Sequence, residues 1–195
     1  MTKLLLPYYL LFFGAVFVWP TWRTWRRTGI NPLVLPRNDS AEGFIGLWFK
    51  AMIGAVLVLT LSLALGLEPS RLGLITWLDG MPTNWVGTAL LVLTLPLVAL
   101  AQSTMGRAWR IGIDSNRPTE LVTHGLFAIS RNPIFLALRL NLAGLFMSLP
   151  SAVTLSIWLV GELLMGVQVR LEESHLSDAL AEDYRAYAER TPRWI

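Results

Sequence analysis

Residues Pro133–Arg170 read PIFLALRLNLAGLFMSLPSAVTLSIWLVGELLMGVQVR, two apolar runs, 133–149 and 151–170, parted only around Leu149-Pro150-Ser151. A helix needs about 20 mostly apolar residues to cross a bilayer, so the runs read as two spans folded into a tight antiparallel hairpin. The same criterion, applied outward from the hairpin, gives further spans at about 3–19, 43–67 and 84–105. The expected fold is an all-α integral membrane protein of about five transmembrane helices, the fifth continuing as a cytoplasmic C-terminal helix. Lys3 before an apolar run has the look of a signal peptide. However, Val18-Trp19-Pro20-Thr21-Trp22 lacks the small-x-small cleavage pattern, so the first run reads as a retained span.

Composition agrees with a lipid environment. Of 195 residues 54% are hydrophobic and 15% charged, against roughly 25% charged in an average globular protein, and mean hydropathy is +0.52. A soluble domain of this size could not hide so much apolar surface. Intrinsic disorder, a disulfide scaffold and a soluble nucleic-acid binder are excluded. There is no cysteine, which removes thiolate catalysis and Cys-based metal sites. His124 and His175, the two histidines, are too few for a His-rich cage, so no metal is expected. The net charge of +3 and pI near 9.7 fit basic loops beside anionic lipid rather than nucleic acid.

Basic residues set the expected orientation. With five spans, Arg23, Arg26, Arg27 and Arg37 share one side with Arg107, Arg110, Arg117 and Arg131, and with Arg170, Arg185, Arg190 and Arg193, leaving Lys3 and Arg71 on the other. Twelve against two places the N-terminus outside and the C-terminus in the cytoplasm. Trp19, Trp22, Trp25, Trp77, Trp85 and Trp109 fall near span ends, as interfacial anchors do. The chain divides into the three N-terminal helices, 1–105, and a loop, hairpin and tail, 106–195, within one structural domain. Polar residues, and hence any chemistry, concentrate at the cytoplasmic face.

Four local patterns stand out there. Asn132 before Pro133 is an N-cap followed by proline at the first helical position. The free N–H groups of that helix start, beside Arg131, suit a carboxylate or phosphate as well as a merely capped helix. Asn132, Phe135 and Arg139 share a helix face. Arg139 lies in the apolar run, where an unpaired charge costs on the order of 2.5–3.5 kcal/mol on insertion scales. Arg139 and Glu162 lie 11 and 12 residues from Pro150, so antiparallel helices bring them to equal depth and predict a pair, either structural or touching substrate. Glu162 and Glu173 fall within roughly 20° of each other on the fifth helix, with Arg170 and Glu172 flanking. This cluster is either a solvated helix end or a site.

The order of these pieces resembles the isoprenylcysteine carboxyl methyltransferase family, integral membrane methyltransferases related to the phospholipid methyltransferases. The resemblance rests on Leu121-Val122-Thr123-His124-Gly125-Leu126-Phe127, Arg131-Asn132-Pro133-Ile134-Phe135, Glu172-Glu173, Tyr184-Arg185-Ala186-Tyr187 and Thr191-Pro192-Arg193-Trp194. It covers about 106–195, which on this basis is the methyltransferase-like region. Asn132 stands where the family has histidine, and Phe127 and Phe135 where it has tyrosine. Asn132 keeps a donor and an acceptor but does not titrate near neutral pH. Gln168 stands where the family has a substrate-binding arginine, and Arg170 lies two residues nearer the acidic pair.

The resemblance implies an enzyme that uses S-adenosyl-L-methionine without a Rossmann fold. It implies cofactor contacts at Thr119, Glu120, Leu121, Val122, His124, Gly125, Phe127, Asn132, Pro133, Ile134, Phe135 and Glu172, and catalytic roles at Arg131, Asn132, Arg170 and Glu173. Arg139, Glu162 and Arg170 are the expected substrate contacts. The expected acceptor is lipophilic or membrane-delivered, such as the carboxylate or thiol of an isoprenylcysteine-like substrate. Phospholipid N-methylation is an alternative, although the Gly-x-Gly triplet usual there does not occur in the chain. A non-catalytic membrane scaffold of the same fold is the third reading.

Overall fold

The computed structural model describes residues 2–29, 40–106 and 121–195. Five long helices carry the architecture of these residues: α1 (Thr2–Thr28), α2 (Ala41–Ala64), α3 (Met81–Met105), α4 (Pro133–Ser148) and α5 (Ala152–Arg190). α1, α2, α3 and α5 are long and apolar enough to cross a membrane. The fourth expected span is shorter than the rest: α4 has 16 residues, about 24 Å of helix against about 30 Å of hydrocarbon. Large apolar side chains stay exposed on the long helices, among them Leu10, Leu11, Leu47, Val58, Leu93, Leu100, Leu159 and Leu163. Lipid is the solvent that removes the cost of that surface.

α1 runs past its expected end at Trp19 to Thr28, although Pro20 lies in its path. The helix tolerates the proline because a π-helical turn, Gly14–Val18, precedes it. Proline lacks an N–H and crowds the carbonyl four residues back, here that of Val16. That carbonyl accepts a hydrogen bond from Gln102 Nε2 of α3 at 2.7 Å instead. Freed backbone inside a membrane helix must find such a partner.

The core joins Tyr9, Phe12 and Val16 of α1 to Val56, Leu59 and Leu63 of α2, Leu91 and Val98 of α3, and Ala137 and Leu145 of α4. α4 packs most closely on α3, where Gly87 and Gly144 let the backbones touch. A Cβ on Gly87 would fall on the Ser148 backbone, and one on Gly144 would meet the Gly87 carbonyl at 3.0 Å. Small residues at the contact are the usual solution where lipid offers no hydrophobic drive for helices to associate. Asn141 Nδ2 donates to Thr94 Oγ1 at 2.9 Å and to the Tyr8 hydroxyl, which itself donates to the Leu91 carbonyl at 2.7 Å. This network ties α1, α3 and α4 together within the apolar layer.

The hairpin tip is held from outside. Ile75 N–H donates to the Pro150 carbonyl, and Ala152 N–H to the Gly73 carbonyl, both at 2.9 Å. Gly73 adopts φ 70°, and its Cα side faces Ala152 at close range. Ser151 caps α5 by a reciprocal box with Thr154. Near its far end α5 breaks at Ala181, with φ 42° and ψ −107°, and the last two turns set off in a new direction.

Candidate functional site

Helix periodicity aims the acidic residues of α5. Gly161, Met165, Val169 and Glu173 recur every four residues and are all buried, so the stripe that packs against the protein ends in a carboxylate. Glu172 is one step around the helix and half-buried. Arg170 is exposed, and its Nη1 donates to the Gly166 carbonyl at 2.6 Å. The structure therefore brings Glu173 into a cluster and leaves Arg170 on the outer side of α5.

Glu173 is the centre of that cluster. Asn132 Nδ2 donates to its Oε1 at 2.9 Å. Arg193 donates to Oε2 through Nε at 3.0 Å and Nη2 at 2.7 Å. Arg131 Nη1 lies 3.5 Å from the same oxygen and donates to the Tyr184 hydroxyl at 3.3 Å. Two guanidiniums thus face one carboxylate that is only 9% exposed. The hydrogen bond from Arg193 to Glu173 holds the guanidinium's pKa above its ordinary value. Among the described residues, buried Arg131 Nε has no hydrogen-bond partner.

Asn132 does occupy the N-cap position of α4, with Pro133 following, but its side chain makes no capping hydrogen bond. That corrects the capping role expected from sequence. The Asn132 amide turns instead to a charged acceptor, the stronger partner. Its own N–H is satisfied by Ser130 Oγ at 3.2 Å, and the Arg131 N–H by the Pro192 carbonyl at 2.9 Å. Both come from the chain itself, so these two N–H groups are not open to an anion.

The C-terminal residues supply much of this site. Arg193 carbonyl accepts from Ser130 Oγ at 3.2 Å and from Asn132 Nδ2 at 3.4 Å. The preceding turn is anchored by Tyr187, whose hydroxyl donates to the Phe127 carbonyl at 2.7 Å. Further along α4, Arg139 Nε donates to Glu162 Oε2 at 2.6 Å, the pairing that equal distance from Pro150 predicts. Trp158 Nε1 donates to the other Glu162 oxygen at 3.1 Å, and the Trp194 ring lies under the Arg139 guanidinium, 4.4 Å from ring centre to Cζ. The pair is half-buried, at 31% and 26% exposure.

Of the remaining expected contacts, Thr119 and Glu120 lie outside the described residues. Leu121 and Val122 are half-buried, His124 and Gly125 are exposed, and Phe127 is buried in a short 3₁₀ turn, Gly125–Ala128. Gly125 has φ 60°, and a Cβ there would meet Thr104 at 3.0 Å. Pro133 is buried and Phe135 half-buried, while Ile134 packs on the hydrophobic core. As site residues, Tyr184, Tyr187, Arg193 and Trp194 enter the sequence reading only as markers of motifs. Their positions in those motifs were the available signal. Ser130 carried none, and Trp158 only its place one turn before Glu162. Among the described residues, no three of His, Cys, Asp and Glu gather as a metal site.

Two curated relatives are similar to this chain. The nickel-cobalt-cadmium resistance protein NccN of Alcaligenes xylosoxydans xylosoxydans is 28% identical over 152 residues, 77% of this chain and 63% of its own. The cobalt-zinc-cadmium resistance protein CzcN of Cupriavidus metallidurans is 32% identical over 117 residues, 58% of this chain and 54% of its own. The chain therefore spans less than two thirds of either relative. No solved structure matches it. A family model described as phospholipid methyltransferase matches residues 82–183, from α3 through the hairpin and past the Glu172-Glu173 pair. With half of its length matched, the chain belongs to the phospholipid methyltransferase family of integral membrane methyltransferases.

Proposed function

We propose that this protein is an S-adenosylmethionine-dependent methyltransferase acting on a lipophilic or membrane-delivered acceptor. The observation that carries the reading is the charge excess around Glu173: among the described residues, two guanidiniums face one carboxylate, and buried Arg131 Nε has no partner. A buried donor without an acceptor is costly, and the carboxylate of an amino-acid-like cofactor is a group that relieves it. The residues present fit such a cofactor. Arg131 would hold its carboxylate, Glu172 its amino group or ribose, and Phe127 and Phe135 would pack its adenine and face its sulfonium. Leu121, Val122, His124, Gly125, Asn132, Pro133 and Ile134, with Thr119 and Glu120, complete the set implied by the resemblance.

When bound, the cofactor supplies a methyl group already activated on sulfonium sulfur. The chain's own task is then positioning and exclusion of water. Glu173 fixes Asn132 and both arginines in one arrangement, while Phe127 and the tail close the site from solvent. Arg139, braced by Glu162 and stacked on Trp194, would orient the polar end of an acceptor arriving from the bilayer. Arg170 would reach an acceptor only from the outer side of α5. The basic-residue asymmetry supports an N-terminus outside and a cytoplasmic C-terminus and site.

The acceptor divides the reading. A carboxylate or thiol of an isoprenylcysteine-like molecule suits Arg139, whereas the phospholipid methyltransferase match favours a lipid amine as second reading. The metal-resistance names of the relatives suggest seeking the acceptor in cells exposed to nickel, cobalt, zinc or cadmium. The test is calorimetric titration of the purified protein with S-adenosylmethionine, followed by transfer of labelled methyl to farnesylcysteine or to phosphatidylethanolamine vesicles. Saturable binding and labelling of one acceptor are expected. Absence of cofactor binding by folded protein would leave the scaffold reading.

A further inference from the structure

Arg193 and Trp194 are neighbours in sequence, yet they engage two different ion pairs. Arg193 grips Glu173 through two hydrogen bonds, and Trp194 lies under Arg139, which in turn holds Glu162. The carbonyls of Pro192 and Arg193 are taken by the Arg131 N–H, Ser130 Oγ and Asn132 Nδ2. The last five residues therefore lie along the face of α4 that carries Asn132 and Arg139, where that face meets α5.

The way this segment is held differs from the rest of the fold. Thr191 is its buried residue, Pro192 is exposed, Arg193 and Trp194 are half-buried and Ile195 is 85% exposed. No large apolar side chain of the segment enters the core, so polar contacts and one ring stack retain it. Arg193 and Trp194 are half-buried, so water can take over their contacts as the segment lifts. The larger cost falls on Glu173, 9% exposed, which needs water or a ligand donor in place of Arg193. Glu173 meanwhile has both oxygens engaged, Oε1 by Asn132 and Oε2 by Arg193. A ligand donor directed at Oε2 has Arg193 to displace.

We infer that residues 191–195 form a strap, clasped at Arg193–Glu173 and Trp194–Arg139, that lifts as a unit to open both charged pairs to ligand. The shared backbone makes the clasps interdependent: losing either frees the other. The strap itself follows from the contacts above, whereas its gating of a cofactor rests on the methyl-transfer reading.

The absence of cysteine permits a direct test on the full chain in lipid nanodiscs. Ser130→Cys places a single thiol at a position 1% exposed, beneath the strap. Its reaction with a water-soluble maleimide is expected to be slow, and to accelerate about tenfold or more in Arg193→Gln and equally in Trp194→Ala. Combining the two should add little to either alone. A thiol at buried Ser148 (Ser148→Cys), 7% exposed at the opposite end of α4, controls for general loosening and should stay equally slow throughout. Unchanged Ser130→Cys reactivity in the variants, or independent multiplicative effects, would overturn the strap. In stopped-flow mixing with S-adenosylhomocysteine, Arg193→Gln should associate about tenfold faster than the parent. Equal association rates would overturn the gating. Failure of every variant to bind S-adenosylhomocysteine would retire the methyl-transfer reading and with it the gating, while the thiol rates still decide whether the strap lifts.

Discussion

Glu172 and Glu173 are adjacent in sequence and unlike in circumstance. Glu173 ends a buried helical stripe and binds Asn132, Arg131 and Arg193. Glu173→Ala would leave two cations without their counter-charge, a loss of roughly 3 kcal/mol by analogy with broken buried pairs, seen as a lower melting temperature in detergent. Glu172 is half-buried rather than buried, so Glu172→Ala should cost less stability than Glu173→Ala, about 1 kcal/mol, while weakening S-adenosylmethionine binding measured by calorimetry. Unchanged affinity with a large fall in melting temperature would remove Glu172 from the binding set. For Arg139 and Glu162, the partial exposure of both side chains places the coupling between surface and buried pairs. A double-mutant cycle should return about 1–3 kcal/mol, and additive single effects would contradict the pairing. This pair was legible before any coordinates, because equal distance from one proline turn is a statement about depth. Asn132 was not. Whether an amide caps its own helix or crosses to a carboxylate depends on what another helix brings near it, and nothing local in the sequence records that.

Helices were legible in proportion to their hydropathy. The five apolar runs became five helices, with ends shifted where hydropathy and hydrogen bonding part company, as at Pro20. The break at Ala181 left no trace, since Leu180-Ala181-Glu182 is a run of good helix formers. Alanine at φ 42° and ψ −107° sits where only glycine is at ease, at a cost of order 1–3 kcal/mol. Ala181→Gly should accordingly raise stability by about 1 kcal/mol, net of glycine's greater chain entropy. A lower melting temperature for that variant would mean that the backbone there is not strained. The crossing of α3 and α4 makes the opposite prediction. Gly87→Val has no room beside the Ser148 backbone and should lower stability by about 1–3 kcal/mol or more, whereas Leu93→Val, on an exposed face, should be nearly neutral.

The whole molecule has one orientation to declare. If the twelve basic residues counted in the sequence share one side of five spans, as proposed, a phosphatase fused after Ile195 should be inactive and a fluorescent protein at the same place bright, the pattern of a cytoplasmic end. The reverse pattern would overturn the assignment and move the proposed site to the other face. The length of α4 adds a physical condition on that site. At 16 residues it falls about 6 Å short of an average hydrocarbon layer. With its far end pinned at the hairpin tip, the deficit is taken up at the Asn132 end. The bilayer must then thin locally or let water and headgroups dip toward Arg131 and Glu173, at a fraction of a kcal/mol per ångström of mismatch. Acyl-chain length thereby becomes a variable of the chemistry. In vesicles of shorter-chain lipid the site should meet the aqueous boundary without distortion, and in longer-chain lipid it should sink, so that on the proposed methyl-transfer reading the host membrane's thickness would set how readily a water-borne cofactor reaches a lipid-borne acceptor.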